Sequence, residues 1–302
     1  MPSFRKPARQ AERMIRRRLA LKSPRHGNHD DGKIHSVGTA RAYQQALTGA
    51  SEWLKGKYRG QSLESMSEEQ AKEYLDERRN TVRQKTLDLD RQALQILPNI
   101  GNLERITSRL DRSPLETRGR AYTPVQIRMI VAAQSERHSL ATEIAYAAGL
   151  RGHELLTLRR AEKQPASTHR KWSKERFEGR TDSVRYTVDG KGGLVREVIL
   201  PLHLSERLEE RLWKTPRTVT DRGVRYSQHY DLGGGLTWSR SFSAASKRVL
   251  GWSTGGHGLR HRYAQERLDE LQREGHVYPD ALEIVSQEMG HFRPDITEVY
   301  LR

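Results

Sequence analysis

The chain contains no cysteine among its 302 residues. This absence excludes disulfides, thiolate metal sites and cysteine nucleophiles, and it is consistent with a reducing cytoplasm. No stretch approaches the roughly 20 consecutive apolar residues that a membrane-spanning helix requires. The N-terminus, MPSFRKPARQAERMIRRRLALK, lacks the apolar stretch of a secretory signal peptide. We therefore expect a cytoplasmic protein without a membrane partner.

Acidic residues are few relative to basic ones. The 54 Lys and Arg residues outnumber the 38 Asp and Glu residues, which gives a formal net charge of +16. A positive field of this size attracts polyanions, of which nucleic acid is the commonest. An anionic membrane is the rival partner, but no long segment combines a basic face with a large apolar one. Because phosphate contacts are largely independent of sequence, the charge indicates affinity and no particular chemistry.

Motifs for nucleotides and metals are also scarce. The glycine-rich stretches QHYDLGGGLTW and DGKGG both lack the Gly-Lys-Ser/Thr ending of a phosphate-binding loop. In SPRHGNHDDGKIH no regular element fixes the geometry of the His and Asp side chains, so a solvated linker is favoured over a metal site. The candidate ligands there are His26, His29, Asp30 and His35. We expect neither a metal nor an organic cofactor.

The length of 302 residues suits two domains rather than one. SPLETRGRAYTP (113–124) has proline near each end and no apolar period, which is typical of a linker. We predict a basic N-terminal arm over 1–35, a helical domain over 36–118 and a second domain over 119–302.

The segment 36–118 carries helical patterns. In TARAYQQALTGASEWLK, apolar residues from Tyr43 to Leu54 recur at helical spacing and form one stripe. SEEQAKEYLDERR opens with a capping box from Ser67 to Gln70. The opposite faces carry an excess of positive charge, which favours a phosphate-facing surface over a merely solvated one. The candidate DNA contacts are Arg41, Arg78, Arg79, Arg83 and Lys85.

The segment 119–302 is predicted to be mostly helical with one β-hairpin. Thr123-Pro124 is typical of a helix start, with proline at the first helical position. SLATEIAYAAGL is nearly all apolar and predicts a buried helix. SVRYTVDGKGGLVREVILP alternates on both sides of DGKGG, whose glycines favour a turn, and so predicts a hairpin with Lys191 at its tip.

Four stretches of this second segment combine chemically active residue types: GLRGHEL, DGKGG, HGLRH and the terminal GH with a Tyr nine residues later. Taken singly, each has an ordinary structural explanation: an arginine bonded to helix-end carbonyls, a solvated lysine, a surface His–Arg pair, or an aromatic anchor for the last helix. The candidate residues are Arg151, Glu154, Lys191, His257, Arg260, His291 and Tyr300.

Together, these residue types fit one reaction, the cleavage of a phosphodiester without a metal. Planar, permanently charged arginine can bind the non-bridging oxygens in a bidentate manner. A tyrosine can form a reversible phosphoester once a neighbour accepts its proton, since the phenol has a pKa of about 10 when unperturbed. His and Lys suit the roles of proton acceptor and of donor to the leaving 5′ oxygen.

At these motifs the chain resembles the tyrosine recombinases, the phage-integrase family of site-specific DNA recombinases. The family pattern is Gly-Leu-Arg-x-x-Glu-Leu, a Lys in a β-hairpin, His-x-Leu-Arg-His, and Leu-Gly-His with a Tyr nine residues on. Here the motifs are GLRGHEL, DGKGG, HGLRH and MGHFRPDITEVY, in the same order, with Met289 where leucine is usual. The match covers the C-terminal half of the chain, and the N-terminal helices resemble the family's core-binding domain more loosely.

The resemblance implies a mainly α fold with a small β-hairpin or sheet, built from a helical, SAM-like core-binding domain and a mixed α/β catalytic domain. It implies that Arg151 and Arg260 clamp the scissile phosphate, while Glu154 orients its neighbours. Lys191 would protonate the leaving 5′ oxygen.

For the remaining motif residues, the resemblance implies that Tyr300 is the nucleophile and that His257 accepts its proton or bonds the phosphate. His291 would bond a non-bridging oxygen. His261 is interpreted as structural. Positioned donors of this kind stabilise the charge that develops on a phosphorane-like transition state.

The resemblance also implies the products and partners. Attack would give a 3′-phosphotyrosyl protein and a free 5′ hydroxyl, and a 5′ hydroxyl of a partner duplex would reverse the step, so neither ATP nor a metal is required. In the family, four protomers on two duplexes exchange strands through a Holliday junction. Expected partners are double-stranded DNA, further copies of the chain in a tetramer, and accessory proteins. The expected location is the bacterial cytoplasm at the nucleoid, and the expected biological context is a mobile genetic element.

Two features depart from the family pattern. The connection over 161–182, AEKQPASTHRKWSKERFEGRTD, is longer and more basic than usual, and is either an extra DNA contact or a solvated loop. No segment after Tyr300 can form the helix that many relatives dock on a neighbouring protomer, so either the chain is truncated or assembly uses other surfaces, such as the N-terminal arm.

Three other functions compete with recombination. A DNA-binding protein could keep the fold without cleaving, but it would be expected to have lost at least one of the candidate residues. A topoisomerase-like enzyme would nick, swivel and reseal without a partner duplex. A metal-dependent transposase or nuclease would need a carboxylate triad, for which the sequence has no persuasive candidate.

Overall fold

The computed structural model describes residues 6–21, 31–110 and 119–302. The chain divides into two compact units, Met1–Leu115 and Glu116–Arg302. The predicted boundary after residue 118 lies outside the described residues, and the predicted linker is described only from residue 119 onward. None of the described helices is both long enough and apolar enough to cross a membrane.

The first unit is helical in its described part. Its helices are α1 (Pro7–Arg16), α2 (Val37–Lys57), α3 (Glu68–Arg78) and α4 (Gln84–Leu94), with a 3-10 turn over Leu63–Ser65. Ser67 Oγ accepts from the Gln70 N–H at 3.3 Å, and Gln70 Oε1 accepts from the Ser67 N–H at 3.0 Å, which confirms the capping box. The apolar stripe of α2 buries Leu47 and Leu54 against α1 and α4.

Helix α1 packs into the first unit. It buries Ala11, Met14 and Ile15 in the same core as α2, and Ile34 joins them. The reason is local, because three apolar residues within two turns of α1 give the basic helix one face that leaves water. This corrects the expectation of a separate arm over 1–35 for its described part.

The second unit is mainly α with two small sheets, so the predicted fold class is confirmed. Thr123 caps its first helix, and Pro124 is the first helical residue, as predicted. The elements are α5 (Pro124–Ala132), α6 (Glu136–Ala147), β1 (Arg159–Arg160), β2 (Ser183–Asp189), β3 (Val195–Pro201), α7 (Leu202–Glu209), β4 (Leu212–Asp221), β5 (Val224–Tyr230), α8 (Gly235–Leu250), α9 (His257–Arg273), α10 (Tyr278–Glu288) and α11 (Pro294–Glu298).

The predicted hairpin forms the main part of an antiparallel sheet with the order β1-β2-β3. Strands β2 and β3 pair from Ser183↔Pro201 to Asp189↔Val195. A 3-10 turn over Lys191–Gly193 joins them, and two of its residues, Gly192 and Gly193, have φ of 77° and 79°. Glycine adopts this left-handed backbone without a steric cost, which is why DGKGG forms the turn.

A second hairpin, β4–β5, was not predicted, so the expectation of a single hairpin is wrong. Asp221 pairs with Val224 at its tip, where Gly223 has a φ of 79°. Asp221 Oδ1 accepts from the N–H of Leu236 at 2.8 Å, so the hairpin tip satisfies a free donor at the start of α8.

The apolar core of the second unit has two parts that flank a polar site. One includes Trp238, Phe242 and Leu140, and the other includes Tyr263 and Met289. The polar site lies where the C-terminal ends of α6 and α10 meet the first turn of α9.

Candidate active site

A left-handed turn at the end of α6 leads to Arg151. Gly149 has a φ of +57°, and its N–H donates to Tyr146 O at 3.4 Å, while the Leu150 N–H donates to Ala145 O at 2.9 Å. This pair of bonds is the Schellman arrangement, in which glycine takes the left-handed position. The turn therefore places Arg151 directly beyond the C-terminal carbonyls of a buried helix.

The same turn at the end of α10 leads to His291. Gly290 has a φ of +71°, and its N–H donates to Gln287 O at 2.9 Å, while the His291 N–H donates to Ser286 O at 2.8 Å. The glycines of the GLR and GH motifs therefore have one backbone role, which is to end a helix beside the site.

Arg260 lies in the first turn of α9 and is fully buried. Its Nη1 donates to Gly149 O, and its Nη2 donates to Met289 O at 3.1 Å. The guanidinium thus binds the C-terminal ends of α6 and α10, where unpaired carbonyls favour a cation. Burial, with the neighbouring charge of Arg151, lowers the pKa of Arg260 to about 9, so the group is still charged at neutral pH.

The carboxylate of Glu154 is fully buried among the arginines. Its Oε1 accepts from Arg151 Nη1 at 2.7 Å, and its Oε2 accepts from Arg196 Nη2 at 2.8 Å and lies 3.9 Å from Arg260 Nη1. Burial raises the pKa of Glu154, but Arg196, Arg151 and Arg260 outweigh burial and hold that pKa well below its usual value. Glu154 therefore links the guanidiniums of Arg151, Arg196 and Arg260 through one carboxylate.

Arg196 is a buried member of the site that was not predicted from the sequence. Its Nη1 donates to Glu288 O at 2.5 Å, and only 1% of the side chain is exposed. The register of β3 pairs it with Val188, on the same buried face as Val198 and Leu200. The alternation of side chains along β3 could have identified Arg196 from the sequence, because it puts this charged residue on the inward face of the strand.

The ring of His291 joins Arg260 to the C-terminal segment. Its Nε2 lies 3.1 Å from Arg260 Nη2, and its Nδ1 lies 3.0 Å from Thr297 Oγ1. Because a guanidinium only donates, we assign Nε2 as the acceptor and place the proton on Nδ1, which donates to Thr297. Burial, followed by the charge of Arg260, lowers the pKa of His291 to about 2, so the ring is neutral.

Tyr300 lies among three histidine rings, with 9% of its surface exposed. Its ring centroid is 4.7 Å from that of His261, 4.9 Å from that of His291 and 5.1 Å from that of His257. The guanidinium carbon of Arg260 lies 5.7 Å from the same centroid. His261 Nδ1 donates to the backbone oxygen of Tyr300 at 3.1 Å, which is consistent with its interpretation as structural.

His257 is the first residue of α9 and is partly buried. Burial, followed by the charges of Arg260 and His261, lowers its pKa to about 3. The ring is therefore neutral at physiological pH and has a free nitrogen lone pair beside Tyr300.

The hairpin turn that carries Lys191 begins beside the arginines. The Asp189 N–H donates to Thr157 Oγ1 at 3.0 Å, and a Cβ on Gly190 would lie 3.6 Å from Glu154 Oε1. The backbone of Lys191 follows directly, whereas its side chain lies outside the described part of the structure.

The structure brings six predicted residues into contact, which we call the Arg–His–Tyr cluster: Arg151, Glu154, His257, Arg260, His291 and Tyr300. With Arg196 beside it, three guanidinium groups face one carboxylate, which leaves an excess of two positive charges. A phosphodiester supplies negative charge and acceptor oxygens to such a site. Among the described residues no group of three His, Asp or Glu is placed to hold a metal, and His26, His29 and Asp30 lie outside that part of the chain.

The candidate DNA contacts of the first unit fall into two classes. Arg78 donates to Asp90 at 3.0 Å, and Arg79 donates to the carbonyl of Thr107 at 3.1 Å, so both are tied to the unit itself. The other three candidates, Arg41, Arg83 and Lys85, are exposed and have no ion-pair partner among the described residues.

Comparison with known proteins gives the fold. No protein-family model matches the chain, and no curated protein matches it in sequence. Among solved structures, the XerH site-specific recombinase bound to a palindromic difH substrate in a post-cleavage complex has a TM-score of 0.54 at 14% identity, covering 99% of this chain and 94% of that chain.

Two further structures agree. XerH bound to difH in a pre-cleavage complex has a TM-score of 0.51 at 17% identity, covering 99% of this chain and 94% of that chain. A lambda integrase dimer bound to a COC′ core site has a TM-score of 0.51 at 13% identity, covering 98% of this chain and 76% of that chain. The tyrosine recombinase fold that the motifs predict is therefore confirmed.

Proposed function

We propose that the chain is a site-specific tyrosine recombinase that cleaves and rejoins duplex DNA through a 3′-phosphotyrosyl intermediate on Tyr300. One observation carries the proposal: the ring of Tyr300 lies against His257, His291 and Arg260, while Glu154 links Arg260 to Arg151. A structural aromatic anchor does not require an arginine and three histidines around it.

Binding of the scissile phosphate is assigned to Arg151 and Arg260. The Arg151 side chain is 20% exposed, so it is the guanidinium that an incoming phosphate reaches first. Arg260 is fully buried, and its Nε–H has no partner among the described residues. A phosphate oxygen that accepted from this N–H would satisfy a buried donor, which favours binding.

Tyr300 then attacks phosphorus through its phenol oxygen, and the bond from phosphorus to the 5′ oxygen breaks. The phenol proton passes to His257, and Lys191 protonates the leaving 5′ oxygen. In the structure the pKa of His257 is about 3, which makes it a weak base. The negative charge of a bound phosphate raises the pKa of a nearby histidine, so DNA binding strengthens His257 as an acceptor.

His291 changes its hydrogen-bonding role in this scheme. With Nε2 accepting from Arg260, it first orients the guanidinium. Once the phosphate is bound, its charge favours protonation of Nε2, which then donates to a non-bridging oxygen.

Rejoining reverses the same steps with a 5′ hydroxyl from a partner duplex. One phosphoester replaces another, so the exchange needs neither ATP nor a metal. Four copies of the chain on two duplexes would carry out the exchange through a Holliday junction.

The test is to incubate the protein in EDTA with fragmented DNA from its source, denature the mixture and sequence any covalently attached fragments. Tyr300→Phe is the test variant and Tyr278→Phe, at an exposed tyrosine of α10, is the matched control. We expect attachment through a 3′ end, at one recurring site, with the wild type and Tyr278→Phe but not with Tyr300→Phe.

Three other outcomes would contradict this proposal. Equal attachment by Tyr300→Phe would overturn the assignment of the nucleophile. Tight DNA binding without attachment by any variant would favour a DNA-binding protein that does not cleave. Relaxation of a supercoiled circle without a partner duplex, and without strand exchange, would favour a topoisomerase-like enzyme.

A further inference from the structure

Residues 161–182, the connecting segment between β1 and β2, pack against the end of α10. The segment is rich in basic residues, yet it contains the buried Phe177 and the partly buried Trp172. At its far end Arg180 donates to Glu270 of α9 at 2.8 Å. It is therefore anchored to the second unit and is not simply a solvated loop.

Two backbone groups of the connecting segment are tied to the last turn of α10. The Ser173 N–H donates to Gln287 Oε1 at 2.6 Å, and the Phe177 N–H donates to Glu288 Oε1 at 2.8 Å. Gln287 and Glu288 immediately precede the turn that ends the helix at Gly290. The segment therefore holds the helix end from which His291 emerges.

A tilted aromatic pair, Trp172 and Phe292, lies on the other side of His291. The Trp172 and Phe292 ring centroids are 4.7 Å apart, Arg170 lies 5.1 Å from the Phe292 ring, and Arg176 lies 4.4 Å from the Trp172 ring. Arg176 is fixed in turn by Glu197 of β3 at 2.9 Å. Ring–ring and guanidinium–ring contacts are both attractive, so together they restrain Phe292.

Phe292 needs such a restraint because its backbone is strained. Its φ of +55° is left-handed, a conformation that is sterically unfavourable for a residue with a side chain. Strained backbone persists only where the surroundings hold it. Here the residue held in this conformation directly follows His291, whose ring must reach both Arg260 and Thr297.

We propose that the connecting segment positions His291 for the reaction, with Trp172 as the main positioning residue. The segment contacts Gln287 and Glu288, which precede His291 in the chain, and Phe292, which follows it. Loss of the Trp172–Phe292 contact would let the 290–292 turn relax and move the His291 ring away from Arg260. This inference rests on the proposed function for its effect on cleavage but not for its effect on geometry.

The test compares Trp172→Ala with Trp213→Ala, a matched change at β4. Arg217 lies 4.3 Å from the Trp213 ring, so both variants lose a tryptophan–arginine stack, but only Trp172 contacts the turn after His291. Single-turnover cleavage, DNA affinity and amide hydrogen exchange over residues 286–300 would be measured. We expect Trp172→Ala to lose about 100-fold in cleavage rate, because a displacement of about 1 Å has that effect.

The expected pattern is specific to positioning. The DNA affinity and the melting temperature of Trp172→Ala should match those of Trp213→Ala. Amide hydrogen exchange at His291 and Phe292 should rise in Trp172→Ala. Trp172→Phe should restore most of the cleavage rate. Cleavage of Trp172→Ala at the rate of Trp213→Ala would overturn the proposal. So would a loss of DNA affinity with unchanged exchange, which would make the segment a DNA contact.

A failure of the proposed function would give different results from a failure of the positioning role. If the wild type forms no covalent complex, the recombinase assignment fails, while the exchange of residues 286–300 and the His291 imidazole resonances still report whether Trp172 fixes the turn. Unchanged exchange and unchanged resonances in Trp172→Ala would then overturn the positioning role independently.

Discussion

Arg196 and Arg260 both form an ion pair with Glu154 Oε2, and both donate to the backbone oxygen of Gly149. The distances to Glu154 Oε2 are 2.8 Å and 3.9 Å, and the Arg196 contact with Gly149 O is 3.5 Å. Two like charges are thus buried side by side, which is tolerated only where an anion and carbonyl dipoles compensate them. The compensation depends chiefly on Glu154, since it is the carboxylate that contacts both.

Replacement of Glu154 by Gln should therefore destabilise the second unit. Gln has nearly the same shape but no charge, and it leaves the guanidiniums of Arg151, Arg196 and Arg260 uncompensated. Breaking a buried ion pair from one side costs about 3–5 kcal/mol. Urea unfolding of the full chain measures the loss. As a control, Glu12→Gln breaks an exposed pair with Arg16 and should cost at most about 1 kcal/mol. Equal losses for the two variants would show that Glu154 is not the compensating charge.

The sequence predicted those features that depend on neighbouring residues. The capping box of Ser67 and Gln70, Pro124 at a helix start and the turn at DGKGG each act within a few residues. The site residues within the motifs could likewise be identified from the sequence, because the order and spacing of the motifs resemble a known pattern. Their geometry was not needed for this. What brings them together is the convergence of α6, α9 and α10, and no single motif contains that information.

Features that depend on distant partners were missed. Arg196 is buried because Glu154, 42 residues away, accepts from it. The β4–β5 hairpin was missed since most of β4 is exposed and lacks an apolar alternation, although Gly223 offered a turn signal. The helical pattern of α1 was visible, but whether it docks depends on α2.

Thr297→Val should impair cleavage as well as stability. Valine keeps the shape but removes the oxygen that accepts from His291 Nδ1–H. A buried donor left without a partner costs about 1–3 kcal/mol, and the ring is freed to rotate away from Arg260. We expect at least about a tenfold loss in the rate of covalent attachment, equivalent to about 1.4 kcal/mol. Thr297→Ser keeps the hydroxyl and should retain most activity, and equal rates for the two variants would contradict the role assigned to Thr297.

Stability should fall as the pH is lowered from 7.5 to 5.5. The pKa of His257 is lowered to about 3 and that of His291 to about 2 in the folded protein, from 6.5 otherwise. Above pH 6.5 neither state binds these protons. Below it the unfolded chain binds them and the folded chain does not, so the free energy of unfolding decreases with decreasing pH.

The contribution of His291 to this pH dependence can be isolated. Urea unfolding at the two pH values, at constant ionic strength, should show a smaller decrease for His291→Gln than for the wild type. His203→Gln, at an exposed position of α7, should show the wild-type decrease. Identical pH dependence in both variants would mean that His291 is not held neutral.

Gly149→Ala should destabilise the protein more than Gly251→Ala. Both glycines have positive φ, +57° and +78°, so each alanine carries a backbone strain of roughly 1–2 kcal/mol. A Cβ at Gly149 would also lie 2.7 Å from the ring of Tyr263, whereas a Cβ at Gly251 would meet nothing within 4 Å. Crowding in a packed core adds about 1–3 kcal/mol, and the difference between the two variants in urea unfolding isolates that part. No difference would mean that the Tyr263 ring moves aside freely.

Lys85→Gln should weaken DNA binding in a salt-dependent manner, whereas Lys72→Gln should not. Both changes remove one lysine charge from the first unit. Lys85 is exposed next to Arg83 at the start of α4, without an ion-pair partner in the described part of the chain, whereas Lys72 is paired with Glu68 at 2.7 Å.

A lysine that contacts a phosphate contributes about 0.9 to the slope of log affinity against log salt, because it releases a counterion from DNA. We therefore expect that slope to fall by about 1 in Lys85→Gln and to stay unchanged in Lys72→Gln. Arg83→Gln should behave as Lys85→Gln does, and the double variant should lose about twice as much slope if the two side chains bind separate phosphates. A slope that does not change in any of these variants would place the DNA-binding surface of the first unit away from the start of α4.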